Sequence, residues 1–279
     1  MQSSTAVAVI GCGWLGLSAA KRLVKQGYQV AGSSRNNSKL AQLNQLGITP
    51  VAVDVYEPQS YQNSAIADCS IWIINIAAGR RTTDFAVYVG KMKQLIDYAA
   101  TCKIAHLIFV STTAVYGNPP GTVVETTELQ PVTASGKAHA EMEAYIQSRL
   151  SARSSILRLA GLVSIDRHPA RSLSKRTEAI SGGKQVINLI HRTDVVAALS
   201  ILCERGPMGT KPLHLASPDH PSRKDYYTWA AEQLGLKAPL FTCEENTQYE
   251  SKRIDCSDSL MRLGLTLKYT SPYDMLTEE

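Results

Sequence analysis

The sequence predicts an α/β fold in which a doubly wound parallel sheet is followed by a smaller C-terminal lobe. Three observations carry that expectation. Short buried strands alternate with amphipathic helices through the first half of the chain, as in parallel sheets covered on both faces. A glycine-rich turn, Gly11-Cys12-Gly13-Trp14-Leu15-Gly16, stands between the first strand and the first helix. After Gly161 the rhythm stops, and Pro207, Pro212, Pro218 and Pro221 punctuate the C-terminal part of the chain.

Taken in order, residues 5–10 read as a buried strand and 14–26 as a helix, with Gly27 where a left-handed residue closes a helix. Residues 28–34 predict a second strand, 38–46 a short helix ended by Gly47, 50–55 a third strand and 70–76 a fourth. Within 85–101, Val89, Met92, Leu95, Ile96 and Ala99 form a stripe of helical period. A strand over 107–111, a helix over 135–150 and a strand over 155–159 complete the first half. Beyond it come a strand at 185–190, helices at 193–204 and 224–234, and a short tail. Residues 1–160 are expected to form the larger unit, joined by 185–204, and 161–279 the smaller lobe.

Composition excludes several classes. Hydrophobic residues make up 44% and charged residues 19%, which suits a globular chain and not a disordered one. The longest apolar run, 6–20, is broken by glycines and ends at Lys21-Arg22, short of the ~20 residues a membrane span needs. Met1 to Thr5 carries no positive charge, so no secretory leader is expected. Six cysteines lack any paired or metal-ligand spacing and predict reduced thiols in a cytoplasmic protein without a metal. The net charge is +5, and residues 151–186 alone hold seven Lys and Arg against Asp166 and Glu178. That stretch has no aromatic residue on which bases would stack, so no nucleic-acid partner is expected.

The glycine turn carries the chemistry. In a Rossmann-type sheet Gly11 permits the tight turn, Gly13 lets the backbone approach a pyrophosphate, and Gly16 lets helix and strand pack closely. Trp14 and Leu15 open the helix whose N-terminus receives the anion. An NAD site usually places Asp or Glu at the end of the second strand, and here Ser33, Ser34 and Arg35 stand there. Ser34 and Arg35 can donate to a 2′-phosphate, so NADP is expected over NAD.

At this point the chain resembles the extended short-chain dehydrogenase/reductases, the NAD-dependent epimerase/dehydratase family. Ser111-Thr-Thr-Ala-Val-Tyr-Gly117 is similar to that family's serine/threonine motif, Leu157-Arg158-Leu-Ala-Gly161 to its sixth strand, and His191-Arg-Thr-Asp194 to its His-x-x-Asp segment. Leu213-His-Leu-Ala-Ser217 resembles its late strand, and Asp255 with Arg262-Leu-Gly264 its C-terminal tail. The resemblance implies that Asp54 and Val55 meet the adenine and that Ile76-Ala77-Ala78 lines the cofactor. It implies that Thr112 is the catalytic hydroxyl and that Lys137 grips the nicotinamide ribose. It also implies, through the helices at 85 and 135, a homodimer.

The departures define an atypical member with an eroded catalytic tetrad. The family's tyrosine lies four residues before its lysine, and that position holds Thr133, whose hydroxyl cannot be brought to a working pKa. Tyr116, His139 and His168 are substitute acids or bases that no spacing distinguishes. Ile187 replaces an arginine of the nucleotide-sugar members, and Ile10 replaces the first glycine of their longer motif. Arg167, His168 and Arg171 form an alternative clamp for a small anionic or sugar-like substrate. Two functions fit: an NAD(P)-dependent epimerase/dehydratase-like oxidoreductase, or a catalytically silent protein whose NADP occupancy senses redox state or docks a partner.

Overall fold

A computed structural model describes residues 5–62, 64–76, 84–102, 104–242 and 251–277. The first half alternates as the sequence predicts: β1 (Ala6–Ile10), α1 (Trp14–Lys25), β2 (Gln29–Ser33), α2 (Asn37–Gln45), β3 (Thr49–Val51), β4 (Ile71–Ile74), α3 (Phe85–Thr101) and β5 (His106–Thr112). Then come β6 (Thr122–Val123), α4 (Ala134–Leu150), β7 (Ser154–Leu159), β8 (Gly161–Val163) and α5 (Ala170–Leu173). The remainder comprises β9 (Leu189–His191), α6 (Arg192–Arg205), β10 (Leu213–Leu215), α7 (Arg223–Gln233), β11 (Arg253–Ile254) and α8 (Ser257–Leu263).

Seven strands form one sheet in the order β10-β7-β5-β4-β1-β2-β3, and every pairing is parallel. Chain order reverses between β1 and β4, so the crevice for a ligand opens beyond the carboxyl end of β1. The alternation of strand side chains supplies a core on each face. Val7, Val9, Ile73 and Ile108 pack on one side with Leu15, Ala19 and Leu23 of α1 and with Val195, Leu199 and Leu202 of α6. Ala8, Ile10, Trp72, Ile74 and Phe109 pack on the other with Met92, Leu95 and Ile96 of α3 and Met142 and Ile146 of α4. A third cluster, around Tyr226, Tyr227, Val163, Leu189 and Met275, forms the core of the C-terminal lobe.

Three elements differ from expectation for identifiable reasons. The third strand stops at Val51 because Ser60 Oγ takes the Asp54 N–H and donates to the Asp54 carbonyl, turning the backbone away. The expected strand at 185–190 is confined to β9, because the Gln185 carbonyl accepts from Arg223, the first residue of α7, and the Ile187 N–H donates to Pro221 just before that helix. β9 pairs with β8 in a separate two-stranded sheet, whereas β10 is the edge strand of the central sheet. The tail contains α8, closed by Gly264 in the left-handed conformation.

Candidate cofactor and active site

A cleft of about 640 Å³ lies at the carboxyl ends of the central strands and is lined from the glycine turn outward in both directions. Gly11 has φ +102°, and a Cβ there would stand 2.5 Å from the Asn75 carbonyl oxygen. Its N–H donates to Ser33 Oγ at 2.9 Å, which ties the turn to the end of β2. A Cβ on Gly16 would stand 2.2 Å from the Gly11 carbonyl, so α1 can approach the turn this closely only without one. Among the described residues nothing lies within 4 Å of a Cβ built on Gly13. The space is therefore open where a pyrophosphate would rest against bare backbone. Gly13 is the N-cap of α1 without a side-chain cap, and no acid occupies the first turn, so the free N–H groups and the dipole favour an anion. These residues fit a dinucleotide.

Trp14 and Leu15 line the same cleft. The Trp14 indole N–H donates to Asp166 Oδ2 at 2.8 Å, and the guanidinium carbons of Arg167 and Arg192 stand 5.0 and 4.7 Å from its ring centre. Asp166 also accepts from Arg192 at 3.0 Å. The turn after β1 is thus tied to the segment after β8. Cys12 lies in the turn itself, and burial pushes its thiol up to about 12, which leaves it unreactive at neutral pH.

Towards β2 and β3 the lining is Ser34, Arg35, Lys39, Val53, Asp54, Val55 and Tyr56. Arg35 is 71% exposed and stands 3.8 Å from Asp54, a loose pair that leaves it able to turn to a phosphate. Asp54 follows β3, across from Arg35, so the end of β2 keeps its cations and hydroxyls. Asn36 caps α2 by accepting from the N–H groups of Ser38 and Lys39. Lys39, in the first turn of that helix, is a further cation that sequence reasoning did not single out. Its signal is the spacing of four residues from Arg35.

Towards β5 and β7 the lining is Val110, Ser111, Leu159, Leu162, Ser135 and His139, with Ile76 and Tyr88 beside them. The structure places Thr133 and Lys137 at the start of α4, one turn apart. Thr133 is the exposed N-cap of α4, its hydroxyl accepting from the Gly136 N–H at 3.0 Å. Lys137 is exposed and does not line the cleft. The physical reason is helical phase. Positions 135 and 139 share a face, and position 137 is turned about 200° from each. A Cβ on Gly136 would stand 2.7 Å from the Ala114 carbonyl, so its absence lets α4 begin against the segment after β5. That contact presents Ser135 to the cleft.

Thr112 is half-buried at the end of β5, its hydroxyl accepting from the Ala114 N–H at 3.1 Å, and the cleft takes its neighbour Ser111 instead. Ser111 Oγ donates to Glu143 at 2.5 Å. Glu143 accepts from Arg158 Nη2 at 2.6 Å, and both are buried. Arg158 also donates to the Tyr116 hydroxyl, which donates to His214 Nε2 at 2.5 Å, while His214 Nδ1 donates to the Asp255 carbonyl at 2.9 Å. Lys252, another residue the sequence did not reveal, donates to the Thr113 and Gly117 carbonyls at 3.2 and 2.7 Å and pins the same segment.

The three substitute acid–base candidates now separate. Tyr116 is enclosed in the buried network, and burial pushes its hydroxyl up to about 12. His168 is buried in the C-terminal lobe, where its Nδ1 accepts from the Ala170 N–H and its Nε2 donates to Tyr226 at 2.8 Å. Burial pulls its pKa down to about 4, so it is neutral, and it lies outside the cleft lining. His139 remains. Of the expected anion clamp, Arg167 lines the cleft, and the exposed Arg171 bonds the Ile165 carbonyl. Ala77 and Ala78 lie outside the described residues. Among the described residues no helix is long and apolar enough to cross a membrane.

Comparison with known proteins agrees with this fold. Residues 11–202 match the family described as NAD(P)H-binding. Over 276 residues, 98% of this chain and 99% of the relative, the sequence is 34% identical to Protein YeeZ of Escherichia coli strain K12. Among solved structures, WbmG of Bordetella bronchiseptica in complex with NAD superposes with a TM-score of 0.80 at 17% identity, covering 99% of this chain and 92% of that one. UDP-glucuronic acid 4-epimerase from Bacillus cereus in complex with NAD gives 0.77 at 18%, covering 98% and 96%.

Proposed function

We propose, for a chain that belongs to the NAD(P)H-binding family and has the fold of the NAD-dependent epimerases and short-chain dehydrogenases, that it binds NADP(H) in preference to NAD(H) and acts as an oxidoreductase on a small anionic or sugar-like substrate. The observation that carries the preference is the group Ser34, Arg35 and Lys39 at the cleft end beside β2, with no carboxylate on that strand. When bound, the nicotinamide gives or takes a hydride. The chain's own residues then hold the pyrophosphate on the α1 N-terminus at Gly13, the 2′-phosphate on Arg35 and Lys39, and the adenine beside Asp54 and Val55. Leu159 and Leu162 keep water from the reacting end, and Arg167 offers a charge to an anionic group.

Calorimetry with NADP⁺ and NAD⁺ on the wild type and Arg35→Ala tests the preference. Loss of a charge-assisted contact of about 1.5–3 kcal/mol lowers NADP⁺ affinity roughly tenfold to a hundredfold and leaves NAD⁺ affinity nearly unchanged. Equal affinities for the two dinucleotides in the wild type refute it. The exposure of Thr133 and Lys137, with threonine where the family has tyrosine, favours a second reading, in which NADP occupancy itself is the signal and no turnover occurs. NADPH oxidation with a panel of carbonyl and sugar substrates separates the two. The same reading pairs two copies through α3 and α4, which lie side by side, and native mass spectrometry counts the subunits.

A further inference from the structure

We propose that His139, positioned by its own helical turn and by Phe109, is the proton donor and acceptor of the reaction, with Ser135 beside it as the hydroxyl that hydrogen-bonds the reacting oxygen. The inference rests on the oxidoreductase reading above. Both residues line the cleft at the end remote from Arg35 and Lys39, which is where a dinucleotide laid across the glycine turn carries its nicotinamide. His139 Nδ1 donates to the Ser135 carbonyl at 2.8 Å. A carbonyl can only accept, so Nδ1 keeps its hydrogen, and Nε2 is the atom that gains and loses the proton. The ring also packs on Phe109, with centres 5.9 Å apart.

The groups around it leave that role open. Tyr88 of α3 lines the same cleft but spends its hydroxyl on the Ile76 carbonyl at 3.0 Å. Glu143, one turn further along α4, is neutralised by Arg158 of β7. Ser111 of β5 commits its hydroxyl hydrogen to a hydrogen bond with Glu143. Lys93 of α3 is paired with Glu141 at 2.6 Å. Arg167 faces the cleft from the segment after β8. In carbonyl reduction the hydride brings two electrons to the carbonyl carbon and the C=O pair moves onto oxygen. The imidazolium Nε2–H then supplies the proton that completes the hydroxyl, and the neutral ring is recharged from water. In the oxidative direction Nε2 takes the hydroxyl proton as the hydride leaves.

Two measurements test the assignment. In the first, carbethoxylation of the protein by diethyl pyrocarbonate is mapped by mass spectrometry with NADP⁺, with adenosine 2′,5′-bisphosphate, or with neither. His139 is expected to react, and NADP⁺ to protect it at least tenfold, while the fragment lacking nicotinamide does not. Equal labelling under all three conditions, with NADP⁺ binding shown by calorimetry, overturns the placement of His139 and leaves the cofactor reading intact. Absence of any dinucleotide binding overturns both. In the second, NADPH oxidation with carbonyl substrates is compared for wild type, His139→Gln, Ser135→Ala and Lys137→Ala. His139→Gln is expected to lose 10²–10⁴-fold in kcat with the NADPH Kd within threefold, as removal of a general acid does. Turnover that survives His139→Gln but is lost in Lys137→Ala overturns the proposal, and a wild type inert towards every substrate overturns it together with the oxidoreductase reading.

Discussion

The two ends of the cleft are built on opposite plans. At the β2 end, Arg35 and Asp54 are loosely paired, 3.8 Å apart, the arginine exposed and the carboxylate half-buried with the Tyr56 N–H on its Oδ1. At the β5 end, Ser111 is the outermost member of a buried chain that passes through Glu143, Arg158 and Tyr116 to His214. An exposed charge can select a cofactor without affecting the fold, because solvent screens it and can replace its partner. A buried charge pair cannot lose one member without leaving the other stranded in a low dielectric. Mutations at the two ends should therefore be read on different instruments, binding at one and stability at the other.

The largest effect is expected at the buried end. Glu143→Ala strands the Arg158 guanidinium and should cost about 3–5 kcal/mol of stability, read as a fall in the urea midpoint. Asp54→Ala, at the exposed end, should change that midpoint by less than about 1 kcal/mol. A comparable loss from both would abolish the distinction.

Lowering the pH next separates the exposed end from the buried histidines, one at the buried end and one in the C-terminal lobe. Burial holds His214 below its ordinary value of 6.5, and it draws His168 down to about 4. The unfolded chain takes up these protons first, so their contribution is complete above about pH 6.5 and is lost as pH falls through the folded values, by on the order of 1.4 kcal/mol per unit of displacement. Urea midpoints from pH 7.5 to pH 4 should decline, and His168→Gln should flatten the decline. Midpoints constant over that range would exclude neutral buried histidines.

Smaller in free energy is the tenfold to hundredfold change in NADP⁺ affinity from Arg35→Ala, which should occur with an unaltered unfolding midpoint. The smallest effect is at the cap of α2. Asn36→Ala removes the acceptor for the Ser38 and Lys39 N–H groups and should cost about 1 kcal/mol of stability, with a loss of NADP⁺ affinity no larger than that of Arg35→Ala. An affinity loss in Asn36→Ala exceeding that of Arg35→Ala would show that helix placement, not the guanidinium, governs this end.

The exposed end was also the more legible in the sequence. Gly11, Gly13 and Gly16 declare their roles through spacing and their place between a strand and a helix, and Arg35 through the missing acid after β2. All of these are local relations. The buried end depends on relations across long sequence separations, such as Arg158 with Glu143 or Tyr116 with His214, and no local pattern announces them. The phase of α4 shows how a small displacement matters. Beginning from Thr133 and Lys137 selects one face of the helix, and a shift of two residues selects nearly the opposite one. The signal was present in Ala138, Met142 and Ile146, whose buried stripe fixes the orientation of the helix and brings Ser135 and His139 to its cleft-side flank. A threonine three residues before Gly136 was also readable as a cap.

Trp14 gives the molecule an optical consequence. Of the three tryptophans, Trp72 is sealed in the core with its indole N–H on the Cys69 carbonyl, and Trp229 packs against Tyr226 and Tyr273 in the C-terminal lobe. Trp14 alone of these lines the cleft, with two guanidiniums over its ring and a carboxylate on its indole nitrogen. An anion arriving at the N-terminus of α1, beside those charges, is expected to change its emission. With Trp72 and Trp229 each replaced by phenylalanine, the remaining fluorescence becomes a built-in gauge of cleft occupancy, read without a substrate and without any label.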